Sequence, residues 1–205
     1  GNKTYMFSPN EPEQSNENQR LIPFLDITPS HWAYSSVTAL YNINIISGID
    51  EVTFAPDNPV TREQFAKMLV MAFDLYDGNA PNIFNDIPAE DWSAPYVASA
   101  YKAGIVKGDG YGSFGGGLEI VREDMTVMAK RCVDICGIKL PALHAKATFS
   151  DEDEFSGYSV QSIYAMQAAG IINGVGDGRF APKVTCTRAM AAKVIYSLIG
   201  LKEGV

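Results

Sequence analysis

The sequence predicts an all-α protein in which three helix–loop–helix repeats form a pseudo-threefold bundle around one shared core. Three observations carry that expectation. One residue pattern returns three times in fixed register. Every copy holds two stretches with apolar residues at helical spacing, joined by a loop rich in Gly, Asp and Pro. A lone helix pair also leaves an apolar face uncovered, and three pairs can cover one another.

Phe24-Leu25-Asp26, Phe84-Asn85-Asp86 and Phe149-Ser150-Asp151 open the copies. Trp32, Trp92 and Tyr158 follow, each sixteen residues ahead of Gly48, Gly108 and Gly174. Phe54, Phe114 and Phe180 lie six residues beyond those glycines, and Arg62, Arg122 and Arg188 eight residues beyond the phenylalanines. The organisation that follows is a polar tail or linker over 1–22 and repeats over 23–80, 81–145 and 146–205, together one module. Gly1 to Arg20 holds no apolar run of the kind a signal peptide needs, so the chain is expected to be a piece of a larger exported protein. Tyr5, Met6 and Phe7 are the tail residues able to dock on the surface.

The first helix of each copy begins just after the Trp or Tyr. Its inward face carries Val37, Leu40 and Tyr41, then Val97, Ala100 and Tyr101, then Ile163, Met166 and Gln167. Asn44, Gly104 and Gly170 stand where it stops, and these residue types accept the left-handed backbone that closes helices. The loop of about 15 residues that follows is long enough to expect either a functional or a disordered segment. Phe54, Phe114 and Phe180 are expected to pin it to the core and keep it ordered. The second helix starts at Thr61, where Gln64 completes a capping box, and at Thr187, a plain N-cap. Val121, at the aligned position, has no oxygen to cap with. Behind it runs a core stripe of Phe65, Met68, Leu69, Ala72 and Tyr76, matched by Met125, Met128, Ala129, Cys132 and Cys136. Cys186 aligns with Val60 and Ile120, the apolar residue before the cap, where a hydrophobic staple is expected. The three cysteines lack zinc-site spacing and read as small core hydrophobes.

The totals exclude several functions. A net charge of −8 opposes general affinity for nucleic acid or an anionic membrane surface. No apolar run approaches the roughly 20 residues of a membrane span. His31 and His144 stand alone, and no nucleophile motif accompanies them. The Asp109 and Asp177 loops lack the alternating oxygen ligands of an EF-hand. No acidic pair stands apart from the repeated scaffold to cleave a glycosidic bond. Neither enzyme activity, nor a metal, nor a cofactor is expected.

The thrice-repeated Phe-x-Asp, the Trp, the Gly-rich loop and the Thr-Arg start of the second helix resemble the S-layer homology family, over about residues 22 to 202. The resemblance implies a monomeric three-repeat module on the outside of a bacterium, holding a larger exported protein to the wall. The ligand it implies is an anionic secondary cell wall polysaccharide, often carrying ketal-linked pyruvate, bound in grooves between adjacent copies. Arg62, Arg122 and Arg188 would each hold the carboxylate, aided by free N–H groups of the helix's first turn. Trp32, Trp92 and Tyr158 would offer a ring face to a pyranose. Asp26, Asp86 and Asp151 would accept from sugar hydroxyls or orient an arginine. Ser47 and Gly48, Lys107 and Gly108, and Asn173 and Gly174 are the expected loop contacts.

The family's Thr-Arg-Ala-Glu reads Thr61-Arg62-Glu63-Gln64, Val121-Arg122-Glu123-Asp124 and Thr187-Arg188-Ala189-Met190 here. Tyr158 replaces Trp in the third copy, beside the acidic run Asp151 to Glu154, which ranks the grooves of Arg62 and Arg122 above that of Arg188. Two simpler readings remain open: helix-start ion pairs for the arginines, and core packing for the Trp and Tyr rings. A protein-assembly module of a surface lattice that binds no glycan is the alternative function.

Overall fold

A computed structural model describes residues 22–203, so the expected tail and the docking of Tyr5, Met6 and Phe7 lie outside the described residues. Six α-helices, two per repeat, run α1 (Tyr34–Asn42), α2 (Arg62–Ala72), α3 (Ala94–Ala103), α4 (Arg122–Ile135), α5 (Val160–Ala168) and α6 (Arg188–Glu203). Among the described residues there is no strand beyond isolated bridges, and the all-α expectation holds.

Local chemistry sets the helix ends as the sequence predicts. Thr61 Oγ1 accepts from Gln64 N while Gln64 Oε1 accepts from Thr61 N, a complete capping box. Thr187 Oγ1 accepts from Met190 N at 3.3 Å, and Val121 makes no side-chain cap. Asn44, Gly104 and Gly170 close the first helices at φ of 60°, 88° and 72°.

The helix partners differ from the simplest expectation. A helix–loop–helix repeat suggests that its own two helices pair. Instead α3 packs on α2, α5 on α4 and α1 on α6, each a pair made between repeats, while α2, α4 and α6 meet one another in the middle. Periodicity locates an apolar face and is silent about which neighbour covers it; the long loop carries each second helix to a different neighbour.

Backbone bonds close the same cycle at the centre. Val60 N donates to Cys186 O at 2.9 Å, Cys186 N to Ile120 O at 2.8 Å and Ile120 N to Val60 O at 3.0 Å. The three side chains are fully buried, in accord with the staple expectation. Cys132 is buried too and Cys136 half-buried; all three thiols are free. Burial pushes the Cys186 thiol up to about 12, so it stays protonated and inert.

The loops are pinned as expected. Phe54, Phe114 and Phe180 are buried and lie 5.6, 5.5 and 5.7 Å from the rings of Phe24, Phe84 and Phe149. Gly48 is obligatory at this crossing: a Cβ there would sit 2.4 Å from Asp50 O and 2.6 Å from the Phe24 ring.

Candidate functional site

One unit, Asp–Phe–Arg, is built three times across repeat boundaries. Asp26 accepts from Phe54 N and Ala55 N at 2.8 and 2.6 Å, and Arg188 Nε donates to Phe54 O at 2.8 Å. Asp86 likewise takes Phe114 N, Gly115 N and Gly116 N, and Arg62 Nε donates to Phe114 O at 3.1 Å. Asp151 takes Phe180 N and Ala181 N, and Arg122 Nε donates to Phe180 O at 2.9 Å. Each guanidinium also lies over the phenylalanine ring, at 4.7 Å for Arg188, 5.2 Å for Arg62 and 4.9 Å for Arg122. The aspartates are thus spent on loop amides. They set each arginine indirectly, through a shared phenylalanine peptide, and none of them lines the cavities described below. Burial works against the ionised Asp86 and Asp151, but these amide bonds outweigh it and hold both carboxyls below the usual range.

Most first-turn N–H groups are spent as well. Arg62 N, Arg122 N and Arg188 N donate to Leu118 O, Val184 O and Asn58 O, each at 2.9 Å, and Glu123 N and Ala189 N to Pro182 O and Pro56 O. The expected help from free amides at these helix starts is therefore reduced: the neighbouring loop takes most of them, and side chains carry most of the positive charge.

What each arginine faces differs. Arg188 reaches into a cavity of about 330 Å³ lined by Ser47, Gly48, Gln64, Lys67 and Trp92. Its Nη2 donates to Ser47 O at 2.7 Å, and among the described residues no carboxylate pairs with it. Lys67 lies over the rings of Trp92 and Tyr96 at 5.6 and 5.1 Å, likewise without an acid partner among the described residues. Arg62 faces a cavity of about 300 Å³ lined by Lys107, Gly108, Asp124, Arg131 and Tyr158, and its Nη1 is paired with Asp124 Oδ2 at 2.6 Å. Here the helix-start ion pair is what forms. Arg122 is only 7% exposed, with Nη2 on Asn173 O at 2.8 Å beside Gly174; burial pushes its pKa down. The aromatic rings stand half exposed: Trp92 borders the first cavity, Tyr158 the second, and Trp32 stacks on His31 at 5.4 Å.

The groove plan is therefore a loop and second helix from one repeat, an arginine from the repeat before it in the cycle and an aromatic ring from the repeat after it. The S-layer homology domain matches this sequence at residues 23–66, 83–126 and 148–192, once in each repeat. The chain belongs to that family. The chain is similar to an endoglucanase of Bacillus sp. (strain KSM-635), 30% identical over 95% of this chain and 20% of that protein. An amylopullulanase of Thermoanaerobacterium thermosulfurigenes is 32% identical over 82% of this chain and 9% of its own length. The S-layer protein sap of Bacillus anthracis is 29% identical over 84% of this chain and 20% of its length. The chain thus spans a fifth or less of these relatives. Membership places it at a bacterial cell surface or wall, in an anchoring role. No helix among the described residues is long and apolar enough to cross a membrane.

Within this S-layer homology module, the residues that reading the sequence did not single out are the acidic pair after Arg122. Glu123 is 2% exposed and accepts from Ser156 N, Ser156 Oγ, Ser159 Oγ and Lys183 Nζ, tying α4 to the third repeat. Burial alone would raise its pKa; Lys183 and the serines reverse the sign and hold it low. Glu63, its counterpart, accepts among the described residues from Gly117 N alone, at 3.2 Å. The signal was present as charge complementarity: Lys183 in the third repeat stands where the second has Gly117.

Proposed function

We propose that this module anchors a larger exported protein to the wall by binding an anionic secondary cell wall polysaccharide, with the groove of Arg188 as its principal site. The observation that carries this reading is a desolvated guanidinium, tethered to the Phe54 and Ser47 carbonyls and facing a cavity without a protein carboxylate among the described residues. Burial lowers the Arg188 pKa, but an arginine stays charged at any physiological pH. A ketal-linked pyruvate supplies the matching carboxylate, whose two oxygens suit the planar fork. Lys67 adds a second cation, and Trp92 offers an amphipathic ring to the pyranose. Ser47 and Gly48 line the same cavity beside the arginine. On this geometry the order of grooves inverts: Arg188 comes before Arg62, whose charge Asp124 already meets, and before the buried Arg122.

The closed cycle of contacts supports an approximate three-fold, three-pronged arrangement of the repeats at 23–80, 81–145 and 146–205; a non-catalytic, monomeric role is part of the same proposal. Calorimetric titration with a pyruvylated wall-polymer fragment and with the same fragment stripped of pyruvate tests the proposal. Binding to the pyruvylated form alone, lost in Arg188→Ala, is the expected result. No heat with either fragment from folded protein would sink it and favour a protein-assembly module.

A further inference from the structure

Three departures from the repeat pattern converge on the second groove. Gln64 in the first copy turns back to cap its own helix, accepting from Thr61 N. Its counterpart Asp124 has a shorter side chain and follows Val121, which has no oxygen to complete a reciprocal cap. Asp124 points forward instead. Its Oδ2 lies 2.6 Å from Arg62 Nη1, and its Oδ1 accepts from Tyr158 Oη at 2.7 Å. Tyr158 is the third departure: both other copies have Trp, which carries no hydroxyl there.

One carboxylate is thereby held by a guanidinium and a phenol inside a cavity, with side chains 19% and 26% exposed for Arg62 and Asp124. Arg188 and Arg122 each give Nη2 to a loop carbonyl, on Ser47 and Asn173; among the described residues Arg62 makes no such bond to Lys107, the aligned position. Its fork has turned to Asp124.

We infer that Asp124 is the specificity-determining residue of the second groove: its carboxylate occupies the seat that an acidic sugar substituent takes at Arg188, so this groove refuses acidic saccharide. This inference rests on the reading of the Arg188 groove given above. An entering carboxylate would have to displace Asp124 from Arg62 and then lie against its charge, two opposing terms in a partly desolvated site.

The test is titration of a pyruvylated monosaccharide glycoside into the whole chain carrying Asp124→Ala or Asp124→Asn, with thermal melts confirming the fold of each. Either variant is expected to gain one site, with affinity within about tenfold of the Arg188 groove. In an Arg188→Ala background, Asp124→Ala should restore one site and a further Arg62→Ala should remove it. Binding by the unaltered chain with no site gained in either Asp124 variant overturns this inference and leaves the Arg188 reading intact. A site gained in the variants, removed by Arg62→Ala, when the unaltered chain binds nothing, supports the inference and overturns that reading. No binding by any of them overturns both.

Discussion

The helix starts of α2 and α4 occupy equivalent places in two grooves, yet they are secured in different ways. At α2 the cap is local: Thr61 and Gln64 satisfy each other, Glu63 makes one bond to Gly117, and the groove beside it holds two cations, Arg188 and Lys67, without an acid partner among the described residues. At α4 no side chain caps the helix, Glu123 is buried among Lys183, Ser156 and Ser159 of the next repeat, and Asp124 is drawn onto Arg62. Where the polar residues of a helix start are consumed locally, the groove stays receptive. Where the local cap is missing, the same positions become tertiary struts and the arginine of the groove is met by a carboxylate from within.

The largest effect that would break this contrast is on stability. Glu123→Ala leaves Lys183 and two serines without their buried acceptor and is expected to cost about 3 kcal/mol, against well under 1 kcal/mol for Glu63→Ala, measured by denaturant melts. Equal losses would mean that the two starts are held alike. Next is binding: Arg188→Ala should weaken an acidic wall fragment by about 2 kcal/mol, roughly thirtyfold, while Arg62→Ala changes it by less than about twofold.

A third contrast is acid sensitivity. Glu123, Asp86 and Asp151 all titrate below their unfolded values, so their stabilisation is complete above roughly pH 4 to 5 and disappears as pH falls through the lower folded values. The melting temperature should hold steady from pH 7 to about 5 and drop below 4, and Glu123→Gln should flatten that drop. The smallest effect sharpens the comparison of caps. Thr61→Ala should destabilise by about 1 kcal/mol and Val121→Thr should recover about 0.5 to 1 kcal/mol, both read from melting curves.

Fixed spacing made the repeats legible, along with both helices of each, the pinning phenylalanines, the closing Asn44, Gly104 and Gly170 and even the missing cap at Val121. These depend on a residue and its near neighbours. The exchange of helix partners between repeats was not legible, because a stripe such as Phe65, Met68 and Leu69 suits any apolar neighbour. The aspartates looked free for a ligand because sequence does not show that Asp26 lies against the Phe54 and Ala55 amides. The order of the grooves proposed above departs from the one read from the sequence for a similar reason. Trp92 and Tyr158 were scored with their own repeats, whereas each ring serves the groove of the repeat before it.

The hydrogen-bonded ring of Val60, Cys186 and Ile120, with α1 seated on α6, gives the molecule no privileged first repeat. A circular permutant that begins at the second repeat, with a short linker from α6 to Phe24, would retain each of these contacts. A chain shortened to any two repeats would instead expose one face of both remaining central helices and leave one first helix without its partner. Connectivity along the chain is therefore exchangeable in this architecture, and completeness of the circle is not.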